Sequence, residues 1–123
     1  NTAVLEDSAL IKYENIISYN QNTYSFRITD SIIIHDSKDY TPLFEKAFAV
    51  TIGKRIIYTG YFWSGYSSLG VDWVVIDLLQ YEWNNELIVQ LGYPALRVGD
   101  TIPDKRNDER ILELLRKDNK LIE

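Results

Sequence analysis

Hydrophobic residues that favour β-strands are concentrated in the middle of the chain, across residues 47–77. Gly53-Lys54 interrupts this run with a two-residue hairpin signal, and the turn formers of residues 64–70 interrupt it again. Within residues 71–79 apolar side chains point to both sides of the predicted strand, so both of its faces should be covered. The pattern therefore predicts a central hairpin followed by a buried strand.

Two further hairpins are predicted, one on each side of this region. Asn20-Gln21-Asn22 separates two short β-like runs within residues 14–30, and asparagine tolerates the left-handed conformation of a tight turn. Asn84-Asn85 is the predicted turn of a hairpin over residues 81–91. Its second arm has one apolar row, made of Leu87, Val89 and Leu91.

Two segments carry helix signals. Thr41-Pro42 places a capping hydroxyl before a proline, which predicts a short helix near residues 42–46. Residues 104–118 are predicted to be helical because Ile111, Leu114 and Leu115 recur on one face. We therefore expect an α+β fold, with an antiparallel or mixed sheet of about six strands and the C-terminal helix packed on it. A flexible lead-in over residues 1–10 should precede a single domain over residues 11–123.

The composition, with 46% hydrophobic and 25% charged residues, is that of an ordinary globular protein. No apolar stretch reaches the roughly 18 residues of a membrane span. Cysteine is absent, which excludes disulfides, thiol nucleophiles and thiolate metal sites. The sequence has no methionine and begins at Asn1, so we expect a trimmed chain or the mature part of a longer protein. A signal peptide or lipid anchor would then already have been removed.

Acidic side chains outnumber basic ones, and the net charge is −5. Residues 57–95 contain no lysine or arginine at all. A protein that binds nucleic acid needs cations to displace the counterions of the phosphates, so we do not expect a nucleic-acid partner. Anionic membrane surfaces are disfavoured for the same reason.

Few catalytic chemistries fit this sequence. His35 is the only histidine, which excludes zinc sites built on several histidines. As a general base it would need a nucleophile such as Ser64, Ser67 or Ser68 nearby, and we expect a surface histidine without a catalytic role instead. Asp72 and Asp77 are five residues apart on one predicted strand, so they should face opposite sides of the sheet. Asp72 with Glu82 or Glu86 could still act as a carboxylate pair or hold Ca²⁺. We expect these carboxylates to be solvated charges, and we expect no cofactor.

Aromatic residues give the clearest indication of a binding surface. The chain has nine tyrosines, three tryptophans and four phenylalanines. Several surround one hairpin end: Tyr58, Tyr61, Phe62, Trp63, Tyr66 and Trp73. We expect Phe62 and Trp73 to belong to the core. Trp63 and Tyr66 adjoin or lie in a serine-rich loop, and such amphipathic rings suit the recognition of proteins or sugars.

Three groups of residues form a recognisable set of motifs: Tyr58, Gly60, Phe62, Trp63, Ser64, Ser67 and Ser68, then Leu91-Gly92-Tyr93-Pro94, and finally Asp108, Arg110 and Ile111. Through these residues the sequence resembles a family of small, uncharacterised bacterial domains found in exported or lipid-anchored proteins. The motifs extend from the middle of the chain to its end. The resemblance implies an extracytoplasmic location and no particular activity.

Three functions remain open from the sequence. The leading one is a non-enzymatic binding domain outside the cytoplasm, with a protein or carbohydrate ligand. Its predicted binding residues are Trp63, Ser64, Tyr66, Ser67, Ser68 and Asp72. The alternative is a small hydrolase that uses Asp72 and the loop from Ser64 to Ser68, with or without Ca²⁺. The third is a structural subunit of a homo-oligomer, since a second copy could cover a strand that is apolar on both faces.

Overall fold

The computed structural model describes residues 10–29, 45–63, 70–79, 81, 86–93 and 101–123. Within them, seven strands form one mixed sheet in the order β3-β4-β5-β6-β2-β1-β7. The strands are β1 (Ile16–Asn20), β2 (Ser25–Ile28), β3 (Ala47–Ile52), β4 (Arg55–Trp63), β5 (Val71–Asp77), β6 (Glu86–Tyr93) and β7 (Leu121–Ile122). A 3-10 turn covers Tyr13–Asn15, and helix α1 covers Glu109–Lys117. The predicted α+β class is confirmed, with one strand more than the roughly six expected.

Both of the tight turns predicted for the first two hairpins are present. Gly53 adopts φ 60° between β3 and β4, a left-handed conformation that glycine enters without strain. The turn from β1 to β2 is closed by the side chain of Asn20, whose Oδ1 accepts a hydrogen bond from the backbone N–H of Asn22 at 2.8 Å. Neighbouring strands are antiparallel except for two pairs, β4 with β5 and β1 with β7, which are parallel.

Strand β5 is buried on both faces, as its sequence predicts. The consecutive residues Val74 and Val75 have exposed fractions of 3% and 0% although their side chains point to opposite sides. The predicted end of this strand and the start of the next hairpin are wrong, because Leu78, Leu79 and Tyr81 are helical. Asp77 makes this change of direction: its Oδ1 accepts a hydrogen bond from the backbone N–H of Leu79 at 2.9 Å.

Helix α1 is shorter at its N-terminus than the sequence predicts. Asp108 is the N-cap, and its carboxylate accepts a hydrogen bond from the backbone N–H of Arg110. The preceding residues form a turn instead, in which the Asp104 carboxylate accepts a hydrogen bond from the backbone N–H of Arg106 at 3.1 Å. The buried residues of the helix are Ile111, Leu112 and Leu115. Leu114, which we expected on that face, is half-buried at its margin.

The hydrophobic core lies between α1 and one face of the sheet. Side chains from α1, from five strands and from the helical residues after β5 form one buried cluster: Tyr19, Ile28, Ile57, Tyr58, Phe62, Val74, Ile76, Leu78, Tyr81, Leu87, Val89, Ile111, Leu112 and Leu115. The predicted apolar row of β6 contributes Leu87 and Val89 to it, and Leu91 packs against it.

Some predictions concern residues outside the described ranges. These include the lead-in before Leu10 and most of the short helix near residues 42–46. Glu45, near the end of that predicted helix, lies within the described residues and has φ 67°. Strand β3 begins two residues later, at Ala47. Among the described residues, no helix is long and apolar enough to cross a membrane.

Candidate functional site

The predicted contact loop begins at the end of β4. Trp63 is the last residue of that strand and is half-buried. Its neighbour across the parallel pair is Asp77, the last residue of β5. The other loop residues of the prediction lie outside the described ranges: Ser64, Tyr66, Ser67 and Ser68.

Asp72, the remaining predicted binding residue, is exposed near the start of β5. Trp63 in β4 is level with Asp77 in β5, and Asp77 lies five residues after Asp72 in that strand. Trp63 and Asp72 are therefore separated by roughly 16 Å along the strand direction. The structure therefore does not bring these two side chains together, and a ligand that contacts both must span that distance.

The carboxylates of the hydrolase hypothesis are also dispersed. Asp77 is only 5% exposed and holds the backbone after β5, as described above. Oε1 of Glu86 lies 4.0 Å from Nη2 of Arg27, which is on the neighbouring strand β2. His35 and Glu82 are outside the described ranges. Within the part of the chain that the structure describes, no three acidic or histidine side chains come together as metal ligands would.

A groove of about 490 Å³ separates α1 from the β3–β4 hairpin. We call it the hairpin–helix groove, and its lining residues are Ile52, Arg55, Ile57, Arg110, Glu113, Leu114 and Lys117. Three of them are apolar and three are basic, with one glutamate. The sequence did not reveal this groove, because its two walls are more than fifty residues apart in the chain.

The basic residues of this groove differ in how they are paired. Arg110 donates hydrogen bonds from Nε and Nη2 to the two carboxylate oxygens of Asp108, at 2.9 and 2.8 Å. These bonds hold the pKa of Asp108 well below its usual value. Arg55 and Lys117 form no ion pair with any residue that the structure describes. Two of the three cations are therefore available to an external anion.

A second polar cluster is partly buried and is centred on Arg106. The guanidinium donates to both carboxylate oxygens of Asp104, at 2.9 and 2.8 Å, and to the backbone carbonyl of Val89 at 3.0 Å. It also lies 3.5 Å from the centroid of the Tyr24 ring. The hydrogen bonds from Arg106 lower the pKa of Asp104. This cluster ties the segment before α1 to β2 and β6.

Tyr19 and Tyr58 extend this polar cluster into the core. The hydroxyl of Tyr19 donates a 2.6 Å hydrogen bond to Oδ1 of Asn107, whose side-chain amide in turn donates to the backbone carbonyl of Gln21 at 2.9 Å. The hydroxyl of Tyr58 is buried and has no hydrogen-bond partner among the residues that the structure describes. Burial raises the pKa of both tyrosines well above its ordinary value. The donors and acceptors of Arg106 and Asn107 are already used within the protein, so we assign this cluster a structural role.

Comparison with protein-family models, curated proteins and solved structures finds no match to this chain. The site therefore has to be interpreted from its own geometry.

Proposed function

We propose that this chain is a non-enzymatic binding domain that works outside the cytoplasm, with a protein or carbohydrate ligand. Its contact surface begins at Trp63 and continues through Ser64, Tyr66, Ser67 and Ser68. Asp72 contacts the ligand only if the ligand extends along β5. The location is proposed from the resemblance to exported bacterial domains.

The position of Trp63 is the observation that carries this proposal. Its neighbour Phe62 is 5% exposed and belongs to the core, whereas Trp63 is half-buried where the strand ends. Trp73, by contrast, packs against the core and donates a hydrogen bond from Nε1 to the backbone carbonyl of Thr59 at 3.1 Å. An indole at the margin of the core offers a rigid apolar surface to a ligand at low cost in conformational entropy.

A first experiment measures how accessible Trp63 is to solvent. Replacing Trp73 and Trp83 with phenylalanine leaves Trp63 as the only tryptophan, so its emission and its quenching by acrylamide can be measured alone. We expect red-shifted emission and ready quenching. Blue-shifted, shielded emission would mean that Trp63 is a core residue, and the proposed contact surface would then be wrong.

A second experiment tests binding directly. Wild-type protein and the Trp63→Ala variant are applied to an array of bacterial cell-envelope polysaccharides and to immobilised envelope proteins. We expect the wild type to retain a specific ligand and Trp63→Ala to lose it, with both proteins unfolding at similar urea concentrations. Trp73→Phe is the matched control and should retain the ligand. Equal retention by Trp63→Ala and the wild type would contradict the proposal.

A further inference from the structure

We propose that the hairpin–helix groove is a second binding site, which takes an acidic segment of a partner protein. An apolar side chain of the partner enters between Ile52, Ile57 and Leu114, and its carboxylates meet Arg55 and Lys117. The groove lies at the start of β4 and Trp63 at its end, roughly 26 Å away along the strand. This site is therefore distinct from the surface proposed above.

The floor of the groove is apolar and only partly covered. Ile57 is buried, whereas Ile52 at the end of β3 and Leu114 on α1 are half-buried, although both belong to elements that pack on the core. An apolar side chain placed against these residues would remove their remaining surface from water, which stabilises a complex. The floor thus favours a partner that offers a hydrophobic residue at this point.

The charge of the groove specifies the rest of the partner. The whole chain has a net charge of −5, yet the groove combines three basic side chains with a single glutamate. A cationic groove on an acidic protein attracts acidic groups locally and repels basic ones. Since Arg110 is already bound to Asp108, Arg55 and Lys117 are the residues that would pair with the partner's carboxylates.

The shape of the groove favours a peptide segment. Its volume of about 490 Å³ is within the range of ordinary ligand sites, but it is open to solvent and not enclosed. Small molecules are usually held in enclosed pockets that cover most of their surface. An extended segment needs no enclosure, because its own neighbouring residues continue along the protein surface.

The probe is a short synthetic peptide in which leucine alternates with glutamate, labelled with fluorescein and blocked at both ends. The control peptide has lysine in place of glutamate. Fluorescence anisotropy is measured for the wild type and for the Arg55→Gln/Lys117→Gln double variant, whose folding is checked by urea unfolding. We expect the acidic peptide alone to bind. The double variant should bind it about tenfold more weakly, from the loss of two exposed ion pairs.

A substitution at Glu113 should change the affinity for the acidic peptide in the opposite direction. Glu113 faces the same groove, so Glu113→Gln should strengthen the binding of the acidic peptide by removing a like charge. Added salt should weaken binding to the wild type more than to the double variant. Trp63→Ala should leave peptide binding unchanged, so that failure at one site is distinguishable from failure at the other.

Three results would overturn the proposal. The first is equal affinity for the acidic and the basic peptide, and the second is equal affinity of the wild type and the double variant. The third is self-association of the wild type, seen by light scattering and abolished by Arg55→Gln/Lys117→Gln. That last result would assign the groove to a second copy of this chain instead.

Discussion

The phenyl ring of Phe48 occupies the space that a side chain at Gly60 would need. The two residues are direct neighbours across the antiparallel pair of β3 and β4. A Cβ atom at position 60 would stand 2.5 Å from Cζ of Phe48 and 2.7 Å from the backbone carbonyl oxygen of Val74. Glycine is therefore required at this position because the neighbouring strands pack closely on both sides. The backbone angle of Gly60 is not the reason.

Gly60→Ala should lower the free energy of unfolding by about 2 kcal/mol, because the added methyl group overpacks the sheet. Urea titration followed by tryptophan fluorescence measures the change. Adding Phe48→Leu should restore only part of the loss, since the carbonyl of Val74 is backbone and cannot rotate away. Gly53→Asn is the control, at a turn where a Cβ meets nothing within 4 Å, and should change stability by less than about 1 kcal/mol. Wild-type stability in Gly60→Ala would contradict this account of the packing.

The two core tyrosines should respond in opposite ways to the loss of their hydroxyls. Tyr58→Phe removes a buried hydroxyl that has no partner in the described part of the chain, so stability should be unchanged or higher by up to about 1 kcal/mol. Tyr19→Phe breaks the hydrogen bond to Asn107 and should cost about 1 to 2 kcal/mol. Each variant is the control for the other in the same urea titration. A clear loss of stability in Tyr58→Phe would mean that its hydroxyl has a partner in solution.

Arg106 should contribute far more to stability than an arginine in an exposed ion pair. Arg106→Leu removes hydrogen bonds to Asp104 and Val89, and the expected loss is on the order of 2 kcal/mol. Arg116 is the matched control, because its pair with Glu123 is about half exposed on both sides. Arg116→Leu should change the free energy of unfolding by less than about 1 kcal/mol. Similar losses in both variants would refute the structural role of the Arg106 cluster.

Stability should fall at alkaline pH because of Tyr19 and Tyr58. Burial raises the pKa of both above the ordinary value of 10.0, so from that pH upward the unfolded chain ionises while the folded protein does not. Their contribution is complete below about pH 10 and is lost as the pH rises toward the raised values, by on the order of 1 kcal/mol per pH unit for each tyrosine. Urea unfolding between about pH 8 and 11 measures it.

Replacing both tyrosines with phenylalanine should flatten this alkaline decline. A smaller decline should remain, because burial and a hydrogen bond to Asp118 raise the pKa of Tyr13 to about 12. An unchanged alkaline slope in the double variant would show that other groups cause the decline.

At acid pH the direction of the effect is reversed. The pKa of Asp104 is lowered by its hydrogen bonds with Arg106, so the contribution of Asp104 to stability is complete above about pH 4 and is lost as the pH falls below that.

Local features of the structure could be predicted from the sequence. The turns at Gly53-Lys54 and Asn20 were predictable because each depends on a nearby residue alone. Gly53 supplies the left-handed backbone angle, and Asn20 supplies a side-chain acceptor for the turn. The apolar row of β6 was evident from alternation alone. The predicted helix was too long because the sequence before Asp108 does not mark where the helix begins. In the structure the Asp104 side chain accepts a hydrogen bond from the backbone N–H of Arg106 and closes a turn there. Leu78 and Leu79 were assigned to a strand because a short apolar run does not distinguish strand from helix.

Features that depend on distant contacts could not be predicted in the same way. The partner of the Tyr19 hydroxyl is 88 residues away in the chain, and Arg106 reaches a backbone carbonyl 17 residues before it. The hairpin–helix groove likewise joins Arg55 to Lys117. Arg55 begins β4 and Lys117 ends α1, so the local pattern around one cation gives no indication of the other.

The parallel pairing of β1 with β7 also determines when the sheet can be completed. Tyr19 and Asn20 pair with Leu121 and Ile122, almost at the opposite end of the chain. A ribosome makes β1 well before β7, so β1 lacks its outer neighbour until residues 121 and 122 have been made. Contacts this distant in sequence are also slow to form, because a long loop must close first. The sheet is therefore completed only after residue 122 has been made, and nascent chains that stop before residue 121 should keep an open edge at β1.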